Sequence, residues 1–194
     1  MKYLKLVAAE LVLGALVAML SVLTAISGYQ SAMADSEQTK YNVQGQQMLT
    51  DANAEYLSVN QMIGYDYTMY DGWYTADNDE IADYYESNFS EELQNAIAAN
   101  PDDPFSDDYY AAMDVEPQTM FDEADGLFEL AQQFNARGDA LQLILLVSSL
   151  GLAFAAWAAL LNEQSWVRLL FALFSIAILV YSVVLYLAVP TVVT

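Results

Sequence analysis

Residues 140–189 read ALQLILLVSSLGLAFAAWAALLNEQSWVRLLFALFSIAILVYSVVLYLAV. Glu163 and Arg168 are the only charged side chains in this segment, and both lie near its middle. It divides into two apolar runs, Ala140 to Leu161 and Val167 to Val189, joined by the short connection Asn162 to Trp166. Roughly 20 apolar residues, rising about 1.5 Å each, cross a hydrocarbon core about 30 Å thick. Both runs reach that length, and both exceed an ordinary core helix. Working outward, Pro190 ends the second run, and a third run, Leu6 to Ile26, lies near the N-terminus with only Glu10 interrupting it. An all-α membrane protein with three transmembrane helices follows.

What separates the first run from the other two has the opposite character. The whole chain carries a formal net charge of −21. Between Asp35 and Arg137 there are 23 Asp or Glu and only two bases, Lys40 and Arg137, so this segment holds all of the surplus. The chain therefore divides into an N-terminal anchor (1–29), an acidic helical domain (30–138) and a two-helix transmembrane hairpin (139–194).

The 194 residues include neither Cys nor His. That removes thiol chemistry, disulfides, zinc sites and histidine general-base catalysis. Only oxygen ligands remain, so a bound metal would be hard, Ca²⁺ or Mg²⁺ above all. The acidic segment repels phosphate, which excludes nucleic acid as a partner.

Lysine and arginine placement sets membrane orientation. Lys2 and Lys5 precede the first run, and Arg168 opens the last. Three spans put these bases on one side, which the positive-inside rule makes cytoplasmic. Lys40 and Arg137 dissent. The expectation is a multi-pass protein of the cytoplasmic membrane with its N-terminus inside, and with residues 30–138 and the C-terminus outside. A rival reading makes Met1 to Lys5 the basic start of a signal peptide cleaved at Ala32-Met33-Ala34.

The acidic segment reads as a helical hairpin with a smaller cap. Met48, Ala52, Tyr56, Val59 and Ile63 recur at three or four residues, the signature of an amphipathic helix. No turn signal separates Tyr29 from Gly64, so the first span continues outward as one long helix. A second stretch begins near Asp79 and places Ile81, Tyr85, Phe89, Leu93 and Ile97 at four-residue spacing, ending at Asn100-Pro101-Asp102-Asp103-Pro104. A last stretch after Pro117 aligns Met120, Ala124, Leu127, Ala131 and Phe134 and runs into the second span.

Several groups could carry function. Tyr65, Tyr67, Tyr70, Trp73 and Tyr74 cluster where the first long helix should end. Tyr and Trp suit an interaction surface, and equally a small core of amphipathic rings. Asp77, Asp79, Glu80 and Asp83 are dense enough to bind Ca²⁺, as are Asp102, Asp103, Asp107 and Asp108, though neither group follows the calcium-loop pattern. The plainer reading is a solvated acidic surface of the halophilic kind. Asn88-Phe89-Ser90 is a glycosylation sequon. Glu10 sits about 9 Å inside its span by helix rise. An intramembrane charge is costly, so Glu10 either pairs with Arg168, within the chain or across a subunit contact, or snorkels to the headgroups. Gly14 and Ala18, and Gly151, Ala155 and Ala159, recur every four residues and would let helices pack closely.

The stretches on the basic side are short and offer neither an output domain nor a nucleotide site. No catalytic or cofactor-binding constellation stands out. A carboxylate-pair hydrolase is formally open, but so many acids make any chosen spacing uninformative. The expected function is a non-enzymatic, structural or accessory membrane subunit, a homo-oligomer or part of a larger complex, whose outer domain serves assembly or protein contact. The alternative is a cation-conducting channel or transporter subunit with an acidic outer vestibule.

One span, a helical acidic segment and paired spans after Ala131 to Asp139 (AQQFNARGD) together give a layout that resembles uncharacterised three-span prokaryotic membrane proteins. The resemblance implies the arrangement of spans and no activity.

Overall fold

A computed structural model describes residues 7–192. Lys2 and Lys5, on which the orientation argument leans, and the last two residues of the tail lie outside the described residues. Five helices follow in order: α1 (Glu10–Tyr74), α2 (Asp79–Glu86), α3 (Glu91–Ala99), α4 (Asp107–Leu160) and α5 (Trp166–Leu187). There is no strand among the described residues. Helices α1, α4 and α5 each contain a stretch long and apolar enough to cross a membrane.

Helix α1 runs unbroken for 65 residues. It contains no proline, and each of its glycines costs only about 1 kcal/mol relative to alanine. The single long helix read from the absence of turn signals is therefore what forms.

Two helix boundaries differ from expectation. Helix α4 begins at Asp107, ahead of Pro117, and carries that proline in its interior. Proline there forfeits one backbone hydrogen bond and costs about 3 kcal/mol. Burial of Tyr109 and Met113 on the preceding turns offsets that cost. The stretch from Asp79 to Ile97 is two helices rather than one. Ser90 has extended backbone, and its side chain accepts the Leu93 N–H, starting α3 as an N-cap.

Packing divides the chain into two units, Met1–Asn42 with Phe128–Thr194, and Val43–Leu127. These packing boundaries lie outside the apolar runs, because α1 and α4 keep packing after their hydrophobicity ends.

In the first unit the buried positions follow a heptad-like rhythm. Helix α1 buries Leu13, Leu16, Leu20, Ser27, Ser31 and Ala34, and α5 buries Arg168, Ala172, Ser175 and Ser182. Helix α4 buries Ala131, Gly138, Leu141, Ile144, Ser148, Gly151, Ala155 and Ala158. Steps of three and four average about 3.5 residues, the period of a left-handed helical seam. Helix α5 runs parallel to this part of α1: Arg168 Nε donates to the Ala8 carbonyl at 3.0 Å near one end, and Tyr186 Oη bonds Gln30 Oε1 at 3.1 Å near the other. Helix α4 runs antiparallel to α1, with Ser148 Oγ 2.8 Å from Thr24 Oγ1 and Ser31 Oγ donating to the Gly138 carbonyl at 3.3 Å. Leu13, Leu16, Leu20, Ala155, Ala158 and Ala172 form the apolar core of this unit.

In the second unit Phe89, Leu93, Tyr109 and Met113 are buried together. Val59, Ile63, Met69, Tyr70 and Trp73 of α1 pack against them. This unit contains 20 Asp or Glu and no Lys or Arg.

Candidate interaction surface

The second unit is organised around one acid. Asp66, on α1, is fully buried. Its carboxylate accepts the Ser90 backbone N–H at 2.9 Å, the Ser90 hydroxyl, and the Tyr109 hydroxyl at 2.8 Å. The Ser90 hydroxyl donates to Asp66 and accepts the Leu93 N–H at 3.1 Å, which uses its proton and one lone pair. Helices α1, α3 and α4 are thus joined at one carboxylate. Burial, reinforced by the Asp66 carboxylate, pushes the Tyr109 hydroxyl well above the ordinary tyrosine range. Next to it, the Tyr110 hydroxyl bonds that of Tyr67. That bond, with partial burial, pushes Tyr110 up to about 12. Asp66 is one acid among many in the sequence. Its only signal is position: it occupies the apolar face of α1 between Ile63 and Tyr70, where a charge needs partners.

The five aromatic residues expected to act together separate into three environments. Tyr70 and Trp73 belong to the core, with ring centroids 5.4 Å apart, and each lies 6.3 Å from Phe89. Tyr67 and Tyr74 remain exposed on the flank of α1, although Tyr67 stacks on Phe105 with centroids 4.1 Å apart. Tyr65 is exposed as well, but it sits two residues from Tyr67 and so points to a different side of the helix. Leu49, Tyr56, Tyr67 and Tyr74 are spaced by seven, eleven and seven residues. Those steps return each to within about 20° of one direction on an α-helix. All four are exposed, and the exposed Asn60 lies in the same direction between Tyr56 and Tyr67, so one flank of α1 presents a mainly aromatic row to solvent.

The acidic groups do not converge. Among the described residues no cluster of three or more carboxylates is placed to hold a metal ion. Asp77, Asp79, Glu80 and Asp83, the expected calcium ligands, are all exposed. Asp79 and Glu80 occupy the first turn of α2, as Asp107 and Asp108 do that of α4. There they complement the positive ends of the helix dipoles. Both sequon residues with reactive side chains have structural partners. Asn88 Nδ2 donates to the Tyr84 carbonyl at 2.7 Å, and Ser90 caps α3.

In the first unit Glu10 and Arg168 do not meet. Glu10 is exposed, while Arg168 is buried and donates to two carbonyls, Ala8 at 3.0 Å and Leu161 at 2.9 Å. The only ion pair among the described residues is Lys40–Glu37, at 2.9 Å on the surface of α1. Arg137 donates to the Pro190 carbonyl at 2.8 Å, beyond the C-terminus of α5.

The small residues also separate. Gly151 and Ala155 are buried in the seam, and a Cβ on Gly151 would lie 2.6 Å from Ile178 Cγ2 and 3.1 Å from Leu20 Cδ2. The third buried small residue of this row is Ala158, and Ala159 is exposed. Gly14 and Ala18 are exposed, and a Cβ on Gly14 would meet nothing within 4 Å. The hydroxyls of Ser27, Ser175 and Ser182 are buried without a hydrogen-bond partner among the described residues.

Comparison with protein-family models, with curated proteins and with solved structures finds no match to this chain.

Proposed function

We propose that this chain is a non-enzymatic integral membrane subunit whose acidic helical unit serves protein contact within an oligomeric assembly. The orientation that the bases favour puts residues 43–127 outside the cytoplasmic membrane, with Asn162 to Trp166 on the inner side. The observation that carries the reading is the stripe Leu49, Tyr56, Tyr67 and Tyr74. Tyr74 is 76 % exposed and Tyr56 47 % exposed on a unit that otherwise bristles with carboxylates. Aligned apolar side chains on a charged surface mark a place where another protein sits.

A second feature supports assembly in the membrane. Gly14 and Ala18 lie outside the chain's own seam, so the close approach they permit is available to a helix of another subunit. The cation-channel alternative has less support. The seam of the apolar unit is filled by Leu13, Leu16, Leu20 and the facing alanines, so a pore would have to run between copies.

Native mass spectrometry of the purified chain in lipid nanodiscs, with and without the substitutions Tyr56→Ser and Tyr74→Ser, tests the proposal. Assembly lost on those substitutions supports it. A strictly monomeric chain that also co-purifies with nothing from its native membrane would overturn it.

A further inference from the structure

We propose that a groove on the acidic unit receives a cationic amphipathic helix from a partner protein. The inference rests on the contact function proposed above and names the chemistry of the partner.

Two adjoining depressions, of about 610 and 330 Å³, meet where α3 faces α4 and the neighbouring part of α1. They share Glu92, Ala112 and Val115. Ala96 and Ala99 continue the apolar floor in the larger one, and Val59 and Met62 continue it in the smaller. Val115 is 63 % exposed, so a valine stands uncovered at the centre of the groove. Alanines on both walls leave room for the side chains of an incoming helix. Around this floor stand Glu55, Glu91, Glu92, Asp108 and Glu116.

Charge decides the occupant. Residues 43–127 contain no lysine or arginine, so no rim carboxylate finds a counter-charge within its own unit. The same unit of a second copy has none to offer either, and self-pairing here would set acid against acid. A helix with leucine or alanine on one face and lysine or arginine along its edges matches both features. Its apolar face covers Val115 and Ala112, and its bases reach the rim. This is helix-in-groove recognition, with the acids supplying orientation and encounter rate.

The experiment uses the full chain in nanodiscs of zwitterionic lipid, with empty nanodiscs as the blank. The probe is a labelled 18-residue Lys/Leu peptide of amphipathic helical pattern. A peptide of identical composition with the pattern scrambled is the control. We expect the patterned peptide to bind at least tenfold more tightly than the scrambled one. E92Q/E116Q should weaken it about tenfold, and V115S should weaken it through the floor. D77N/D79N removes the same charge outside the groove and should change binding less than twofold. Equal binding of both peptides, or equal loss from D77N/D79N and E92Q/E116Q, would show diffuse charge attraction and overturn the groove. Either result leaves the contact function standing if the nanodisc assembly still depends on Tyr56 and Tyr74. Assembly that survives Tyr56→Ser and Tyr74→Ser, with groove binding intact, would overturn the tyrosine stripe instead.

Discussion

The Tyr109 hydroxyl donates to the buried Asp66 carboxylate at 2.8 Å, across 43 residues of sequence, and so ties α4 to α1. Ser90 adds two further donors from the start of α3. A carboxylate in this position is worth more as a joint than as a charge: its oxygens are engaged, and solvent does not reach it.

Removing the joint at either side should have unequal effects. Tyr109→Phe deletes one donor and leaves Asp66 with Ser90, at a cost of about 1.5–3 kcal/mol for a bond to a charged acceptor. Asp66→Ala strands the Tyr109 and Ser90 donors together and should cost more. Fluorescence of Trp73, with Trp157 and Trp166 replaced by Phe, reports this core during denaturant unfolding. Equal midpoints for the two variants would refute the joint.

Alkaline pH should loosen the same region. Tyr109 and Tyr110 both hold their protons more tightly when folded than an ordinary tyrosine near 10. Above that value the unfolded chain has released protons that the folded chain keeps, so stability falls as pH rises. The stabilisation is fully present below about pH 10 and is lost through the interval up to about 12 in which Tyr110 titrates. Tyr109→Phe/Tyr110→Phe should flatten that decline in unfolding midpoint between pH 9.5 and about 11.5. An unchanged slope would show that these hydroxyls do not govern it.

Helix packing gives a paired test. Gly151→Val should destabilise the apolar unit by about 1–3 kcal/mol, because its new methyl groups meet Ile178 and Leu20 in a filled seam. Gly14→Ala meets nothing within 4 Å among the described residues and gains about 0.5–1 kcal/mol of helix preference. Thermal unfolding in detergent separates the two. If Gly14→Ala proves as damaging as Gly151→Val, the seam has been assigned to the wrong face.

The long elements were legible in the sequence because their signals are cumulative. Three apolar runs and the absence of proline before Pro101 suffice for the three long apolar stretches and for the continuity of α1. The seam was visible only in part: Gly151 and Ala155 fit it, but the heptad step then selects Ala158 over Ala159. Local decisions were harder. Pro117 looks like a helix start, yet burial of Tyr109 and Met113 extends α4 through it. Ser90 reads as part of a sequon, while its physical work is to cap α3 and to bond Asp66. The aromatic cluster was correctly located but not resolved, because composition does not tell Tyr70 in the core from Tyr67 on its flank.

Arg168 and Glu10 supply the last test, and it turns on which of them the fold uses. Arg168 joins the start of α5 to two chain segments by donating to the Ala8 and Leu161 carbonyls. Replacing it with Gln removes a buried cation and at least one of those bonds. The expected loss is about 1–3 kcal/mol, since hydrogen bonds in spanning helices are worth less than their desolvated setting suggests. Glu10 is exposed and makes no such bond among the described residues, so Glu10→Gln should leave the unfolding temperature of the isolated subunit unchanged. If Glu10 instead meets a donor on a neighbouring subunit, Glu10→Gln will lower the oligomer's resistance to dissociation and leave the monomer untouched. Unfolding temperature and oligomer fraction, measured on the same detergent sample, distinguish these outcomes. Equal destabilisation of the monomer by both substitutions would mean that the two side chains do act as a pair within one chain.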